Sequence, residues 1–314
     1  LVPKDLSHLP SVVVICGPTG SGKGELARFL AGRLDGEIVS ADSRKIYRLF
    51  DIGTAKPTAD QRNAVSYHLI DCCDPNQHFS AARFATMSAA AIDEIRARGR
   101  LPIVCGGTGF YIRALLHGIV DTPSRDEEIR SRLLGQEAES PGCLHRRLLE
   151  VDPPSAARLP PSDLVRIVRA LEVHQISGRP LSAIQADHGF DSTRYRTLMV
   201  APLFERHELY TRIEERVERM LSAGWLEEVR SLVDLGLSDC RTFETVGYRE
   251  LREYLDGGIT FVEATERIKR AHRRYARSQM VWFKAISEIS WLQAPVDRQA
   301  FVAQVKDFLA PSPI

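Results

Sequence analysis

The run Ser11-Val-Val-Val-Ile-Cys16, followed at once by Gly17-Pro-Thr-Gly-Ser-Gly-Lys23, constrains the fold more than any other part of the chain. A short β-branched run with no polar face reads as a strand buried on both sides, as in a parallel sheet. The glycine-rich turn opens into Glu25 to Leu34, where Leu26, Ala27, Phe29, Leu30 and Ala31 recur at helical spacing. Strand, G-x-x-x-x-G-K turn and helix in succession are the context a phosphate-binding P-loop requires.

The same alternation continues. Glu37 to Ala41 reads as a second strand, Phe79 to Arg98 as a helix capped by Ser80, and Leu101 to Cys105 as a third strand running into Gly106-Gly-Thr-Gly109. Alternating strands and helices predict an α/β fold, with ligands at the carboxyl ends of the strands. After Val120 the character changes. Charged helical stretches at 126–139, 144–150 and 163–176 are separated by Pro-Pro pairs and glycine turns, and Thr197 to Ala201 returns to strand character. The expected architecture is a P-loop NTPase-like parallel sheet core over residues 1–120 and 199–314. An all-helical insertion domain spans 121–198, and a helical C-terminal part runs from Arg206 to Ile286 before a short apolar tail.

Composition narrows the function classes. Lys and Arg number 42 against 41 acids, so whole-chain charge points to no polyanion and any basic surface must be local. No apolar run is long enough for a membrane span. Leu1 to Pro10 carries Lys4 and Asp5 and lacks the apolar core of a signal peptide. The six cysteines show no CxxC pair and no zinc spacing, which predicts a reduced, cytoplasmic protein. No zipper pattern argues for a dimer, so a monomer is expected.

Chemistry gathers at the strand ends. The loop Gly17, Pro18, Thr19, Gly20, Ser21, Gly22, Lys23 and Gly24 offers backbone N–H groups, a helix N-terminus and an ammonium to phosphate. At its eighth position Gly24 stands where Ser or Thr would place a hydroxyl on Mg²⁺. The third strand ends without a metal-binding aspartate. A phosphate cradle short of metal ligands suits diphosphate as a leaving group better than γ-phosphoryl transfer.

Asp42, closing the second strand, is suited either to capping a helix or to accepting a proton near a phosphate, and the residues alone leave both open. Thr108 between glycines is likewise a ligand contact or an ordinary turn, and Lys56 a second loop lysine or a solvated cation. Phe261 to Ile286 predicts one helix, with Ile268, Tyr275 and Trp282 as a buried seam beside Ala271, Ser278 and Ala285. Another face carries Arg270, Arg273, Arg274, Arg277 and Lys284 with no nearby acid after Glu266, a footprint that suits a polyanion. Val246-Gly-Tyr-Arg249 offers an aromatic ring and an arginine to bases.

The ordered series GPTGSGK (17–23), SADS…IY (40–47), DIGTAKP (51–57), FSAARF (79–84), GGTGFYIRALL (106–116), VRIVRALEV (165–173), VGYRE (246–250) and SQMVWFK (278–284) resembles the tRNA dimethylallyltransferase (isopentenyl-diphosphate:tRNA transferase) family. That resemblance implies transfer of dimethylallyl from dimethylallyl diphosphate to N6 of the tRNA adenine beside the anticodon, with Mg²⁺ assisting. The helical insertion would grip the anticodon arm. By the same resemblance Asp42 is the general base, Lys23 holds the diphosphate and Thr108 lies near the reacting nucleotide. The implied tRNA contacts are Asp42, Ser43, Arg44, Lys45, Thr108, Arg130, Val165, Arg166, Ile167, Val168, Arg169, Glu244, Thr245, Val246, Gly247, Tyr248 and Arg249. They continue with Arg277, Ser278, Gln279, Met280, Val281, Trp282, Phe283 and Lys284. Against the family pattern, Gly24, Lys45, Ser278, Val281 and Lys284 are departures. The rival readings are an adenylate isopentenyltransferase acting on free nucleotide, a tRNA-binding paralogue with weakened catalysis, and a small-molecule P-loop kinase.

Overall fold

A computed structural model describes residues 8–189 and 193–310; the first seven residues, part of the polar opening stretch, lie outside the described residues. The chain divides into two compact units, one of Leu1–Leu116 with Thr193–Ile314 and one of His117–Ser192.

The first unit is built on six parallel strands in the order β3-β2-β4-β1-β5-β6. They are β1 (Ser11–Ile15), β2 (Gly36–Ser40), β3 (Tyr67–His68), β4 (Leu101–Cys105), β5 (Arg196–Leu203) and β6 (Ile289–Gln293). Between them run α1 (Lys23–Arg33), α2 (Ala59–Ala64), α3 (Ala81–Ala97) and α4 (Gly109–His117). The continuous apolar runs of β1 and β4 are what a sheet covered on both faces demands. Their register sets Ile15 opposite Cys105, and β2 pairs Ser40 with Cys105, so the three strands end level. The loops after β1, β2 and β4 therefore emerge side by side.

The second unit holds α5 (Glu127–Glu139), α6 (Cys143–Val151), α7 (Pro153–Arg158), α8 (Leu164–Ser177) and α9 (Leu181–His188). Asp126, Asp152 and Asp163 cap three of these helices by accepting backbone N–H bonds. Its core joins Leu133, Leu144, Leu148, Ile167, Val168 and Leu171.

After β5 come α10 (Arg206–Ser222), α11 (Trp225–Asp234), α12 (Tyr248–Leu255) and α13 (Phe261–Lys284), and α14 (Arg298–Leu309) closes the described chain. The expected short apolar tail is instead β6 and α14. Phe301 and Val305 of α14 join Leu26, Leu30, Ile15 and Ile103 in one core cluster. A five-residue edge strand with one buried residue and no alternation gives too weak a local signal to separate from a tail.

The predicted seam of α13 also needs correction. Ile268 is fully buried, but Tyr275 is 42% and Trp282 39% exposed, and Ser278 and Ala285 face solvent. The buried line is Ala264, Ile268, His272, Ala276, Gln279 and Phe283. Tyr275 lies on the same side of the helix as Ile268 but lines an open cavity, and helical spacing alone does not separate a face that meets packed side chains from one that meets open space.

Candidate active site

The left-handed backbone of Gly20 (φ +82°) and Gly22 (φ +77°) folds the loop after β1 over the start of α1. A side chain at Gly20 would also meet Ile213 of α10 at 2.7 Å, so glycine is required there twice over. The first N–H groups of α1 have no intrahelical partner and point into the loop as donors. Not every amide of the loop joins them. Thr19 donates its N–H to Gln279 Oε1 at 2.8 Å, and Ser21 returns its N–H to the Pro18 carbonyl. Lys23 donates Nζ to the Pro18 carbonyl at 3.0 Å.

The loops after β2 and β4 are clamped together. Thr108 N–H donates to the Ala41 carbonyl, and the Thr108 hydroxyl accepts the Ser43 N–H at 3.0 Å. A Cβ at Gly106 would lie 2.0 Å from the Ala41 carbonyl oxygen, and one at Gly107 would lie 2.3 Å from Gln279 Nε2. The Gly106-Gly107 doublet thus serves close backbone approach. Gln279 donates Nε2 to the Gly107 carbonyl at 2.8 Å while accepting from Thr19, so one buried amide ties the P-loop to the β4 loop.

These loops surround a cavity of about 620 Å³ lined by Lys23, Gly24, Asp42, Lys45, Thr54 and Val246 among others. Asp42 Oδ1 accepts the Arg44 N–H at 2.9 Å, a local turn bond that leaves Oδ2 for other partners. Burial pushes the Lys23 ammonium down to about 8, opposed by Cys105 and then by Asp42. Burial lowers Lys45 as well, with Asp42 the largest opposing influence. No helix starts directly after β2, so Asp42 is not a helix cap: it closes a local turn and lines the cavity.

Several lining residues carried no motif signal. Arg212, Arg216 and Arg219 of α10 and Arg28 of α1 add cations to the cavity. Arg216 Nη1 donates to Thr19 Oγ1 at 2.5 Å, and Arg212 Nε donates to the Gly20 carbonyl at 3.1 Å. His272 and Tyr275 of α13 also face in. His272 Nε2 has no hydrogen-bond partner, and burial followed by repulsion from Arg216 drives its pKa down to about 3.

The Asp51–Pro57 loop forms another wall through Gly53, Thr54 and Ala55. Glu228 of α11 shapes it, accepting the N–H groups of Asp51, Ile52 and Gly53 and the Tyr248 hydroxyl at 2.7 Å. Lys56 is neither a ligand nor a solvated cation. It is buried, donating to the Tyr47 carbonyl and to Asp51 and Asp71 carboxylates.

The proposed RNA contacts divide by exposure. Ser43, Arg44, Lys45, Glu244, Thr245 and Val246 line the cavity. Arg166, Val165, Arg249, Arg277, Ser278, Val281, Trp282 and Lys284 are exposed, and Met280 is partly so. Ile167, Val168, Tyr248 and Phe283 are buried and present no side chain to a base, Gly247 is buried as well, and Gln279, though buried, lines the cavity. Tyr248 in particular is fully enclosed, so the expected stacking platform is a core residue. Arg130 and Arg169 of the helical unit both pair with the buried Glu172, at 3.1 and 2.6 Å. The basic stripe of α13 is partly compensated, because Arg273 pairs with Glu214 of α10; Arg270, Arg274, Arg277 and Lys284 are exposed.

The donor set fits anions better than a resident Mg²⁺. Gly24 brings no hydroxyl, and no cluster of three acidic, histidine or cysteine ligands occurs among the described residues.

A family model described as IPP transferase matches residues 45–286. The "tRNA dimethylallyltransferase 1" of Pelobacter propionicus is 51% identical over 290 residues, covering 91% of this chain and 94% of that protein. The "tRNA dimethylallyltransferase" of Anaeromyxobacter dehalogenans is 46% identical, covering 94% of this chain and 99% of that one. Among solved structures, a full-length tRNA isopentenylpyrophosphate transferase of Bacillus halodurans matches with a TM-score of 0.69 and 37% identity, covering 95% of both chains. A eukaryotic dimethylallyltransferase acting on tRNA matches with a TM-score of 0.83 and 27% identity, covering 97% of this chain and 81% of that one. The chain belongs to the IPP transferase family.

Proposed function

We propose that this member of the IPP transferase family transfers a dimethylallyl group from dimethylallyl diphosphate to N6 of the tRNA adenine beside the anticodon, releasing diphosphate. The observation that carries the reading is that Asp42 and the P-loop lysine line one cavity. The N6 lone pair attacks C1 of the allyl group as the C1–O bond breaks. The bonding electrons leave with the diphosphate, and the N6 proton passes to the Asp42 carboxylate.

Charge developing on the departing diphosphate meets Lys23, Lys45 and the opening N–H groups of α1. These donors are already in place, so they need little reorganisation. A stacked adenine cannot reach such a cavity, so the nucleotide must be extruded from the anticodon loop. Arg216, held by Thr19, is placed to orient the base against Asp42. Arg130 and Arg169, fixed by Glu172, and the exposed cations of α13 offer contacts to the RNA backbone.

In this reading the enzyme is a cytoplasmic monomer. All six cysteines are unpaired, which suits a reducing compartment. Incubation with dimethylallyl diphosphate and either tRNA or AMP tests the assignment. Mass spectrometry of digested tRNA should reveal prenylated adenine. Prenylation of AMP alone would move the chain to the nucleotide-acting enzymes, and no product with either acceptor would leave an RNA-binding protein without catalysis.

A further inference from the structure

A P-loop ordinarily presents, just after its lysine, the hydroxyl that ligates magnesium; here that position is Gly24. Its backbone does not require glycine. A Cβ built at Gly24 meets nothing nearer than 3.7 Å, an ordinary contact, and the atom it meets is Nη1 of Arg28. Arg28 follows four residues later in α1, on the same helical face, and lines the same cavity as Lys23 and Asp42. Its Nη1 donates to the Tyr67 hydroxyl at 3.5 Å, too long to hold the group firmly. A permanent cation therefore stands beside the place where the metal-binding hydroxyl would hang.

The surroundings make a divalent ion there unfavourable. Lys23, Lys45 and Arg216 already face the cavity. Of the carboxylates in its lining, Asp42, Glu25, Glu215 and Glu244, Glu25 pairs with Arg298 and Glu215 with Arg219, and no three acidic, histidine or cysteine side chains converge as a metal site among the described residues. A guanidinium carries fixed charge and a fork of N–H donors that matches two phosphate oxygens at once.

We propose that Arg28 takes over the work of the metal in this chain: its guanidinium, paired with the loss of the hydroxyl at Gly24, neutralises the diphosphate, so that binding of the donor needs no divalent cation. As the C1–O bond breaks, the added negative charge on the leaving oxygen falls to Arg28 and Lys23. The inference rests on the reading that a diphosphate occupies the P-loop.

Calorimetric titration of the intact protein with inorganic diphosphate, in EDTA and in magnesium, tests it without relying on turnover. Wild-type affinity in EDTA should stay within about threefold of that in magnesium, a difference below about 0.7 kcal/mol. Arg28→Ala should weaken binding in EDTA by about ten- to a hundredfold, the range of a hydrogen bond to a charged group, while Arg28→Lys retains more of it. Adding Gly24→Thr to Arg28→Ala should restore affinity only when magnesium is present. Wild-type binding that collapses in EDTA and returns with magnesium overturns the assignment, and that comparison needs no variant. Unchanged binding by a folded Arg28→Ala protein overturns it too. Failure to bind diphosphate under either condition would remove the P-loop reading along with it.

Discussion

Gln279→Ala probes how the active site is held together. The wild-type amide accepts from Thr19 N–H and donates to the Gly107 carbonyl, both at 2.8 Å, and the residue is 7% exposed. Truncation strands one buried donor and one buried acceptor. Each costs about 1–3 kcal/mol if left unpaired, so the ceiling is about 6 kcal/mol. Water entering from the adjoining cavity recovers part of this, and a loss of about 2–3 kcal/mol is expected. For a unit of this size that lowers the melting temperature by about 4–10 °C.

Catalysis should suffer separately, because the loop that cradles diphosphate loses its tie to the β4 loop. A shift of the loop by about 1 Å predicts a fall in kcat/KM for dimethylallyl diphosphate of up to about a hundredfold. Gln279→Glu sharpens the experiment. It keeps an acceptor for Thr19, loses the donor to Gly107 and adds negative charge near the diphosphate. It should therefore raise KM for the diphosphate more than Gln279→Ala does. Thermal melts followed by circular dichroism and steady-state prenyl transfer measure both effects. A Gln279→Ala protein melting within about 1 °C of wild type with unchanged kinetics would refute the argument.

Asp42→Asn preserves an acceptor for the Arg44 N–H and removes only the base, so transfer should fall by about 10²–10⁴-fold with tRNA affinity nearly intact; turnover near the wild-type rate would reduce Asp42 to a turn residue. Burial holds Lys23 at about 8 in the free protein, and its charged form is the one that binds diphosphate. As pH rises through that value the ammonium is lost, so kcat/KM for the diphosphate should decline on the alkaline side and Lys23→Ala should abolish that limb; a flat profile to pH 10 would contradict it. Tyr248→Phe removes only the bond to the Glu228 carboxylate, so stability should drop by about 1.5–3 kcal/mol while tRNA affinity stays unchanged; a large loss in RNA binding would show that the ring leaves the core.

Strands β1, β2, β4 and β5, the P-loop and the helices between 126 and 176 were legible because each is written in a short contiguous stretch, whereas the two-residue β3 and the edge strand β6 were not. A β-branched run, a glycine turn with lysine and a capped amphipathic helix carry their signal within about ten residues. Asp42 and Lys23 could be singled out for the same reason, each standing at a strand end. Residues brought in from distant helices could not. Arg212, Arg216 and Arg219 sit on one helix of mixed charge, and only its packing against the P-loop brings Arg212 and Arg219 to the rim of the cavity and turns Arg216 inward. The motif VGYRE reads as exposed and aromatic, yet Trp225 and Glu228 of a different helix enclose its tyrosine. Gln279 carries no local mark of its task, since its two partners lie 260 and 172 residues away. Periodicity tells which side chains share a face of a helix. What that face meets is decided by tertiary packing, and here that packing selects the cavity cations of α10 and the buried clamp.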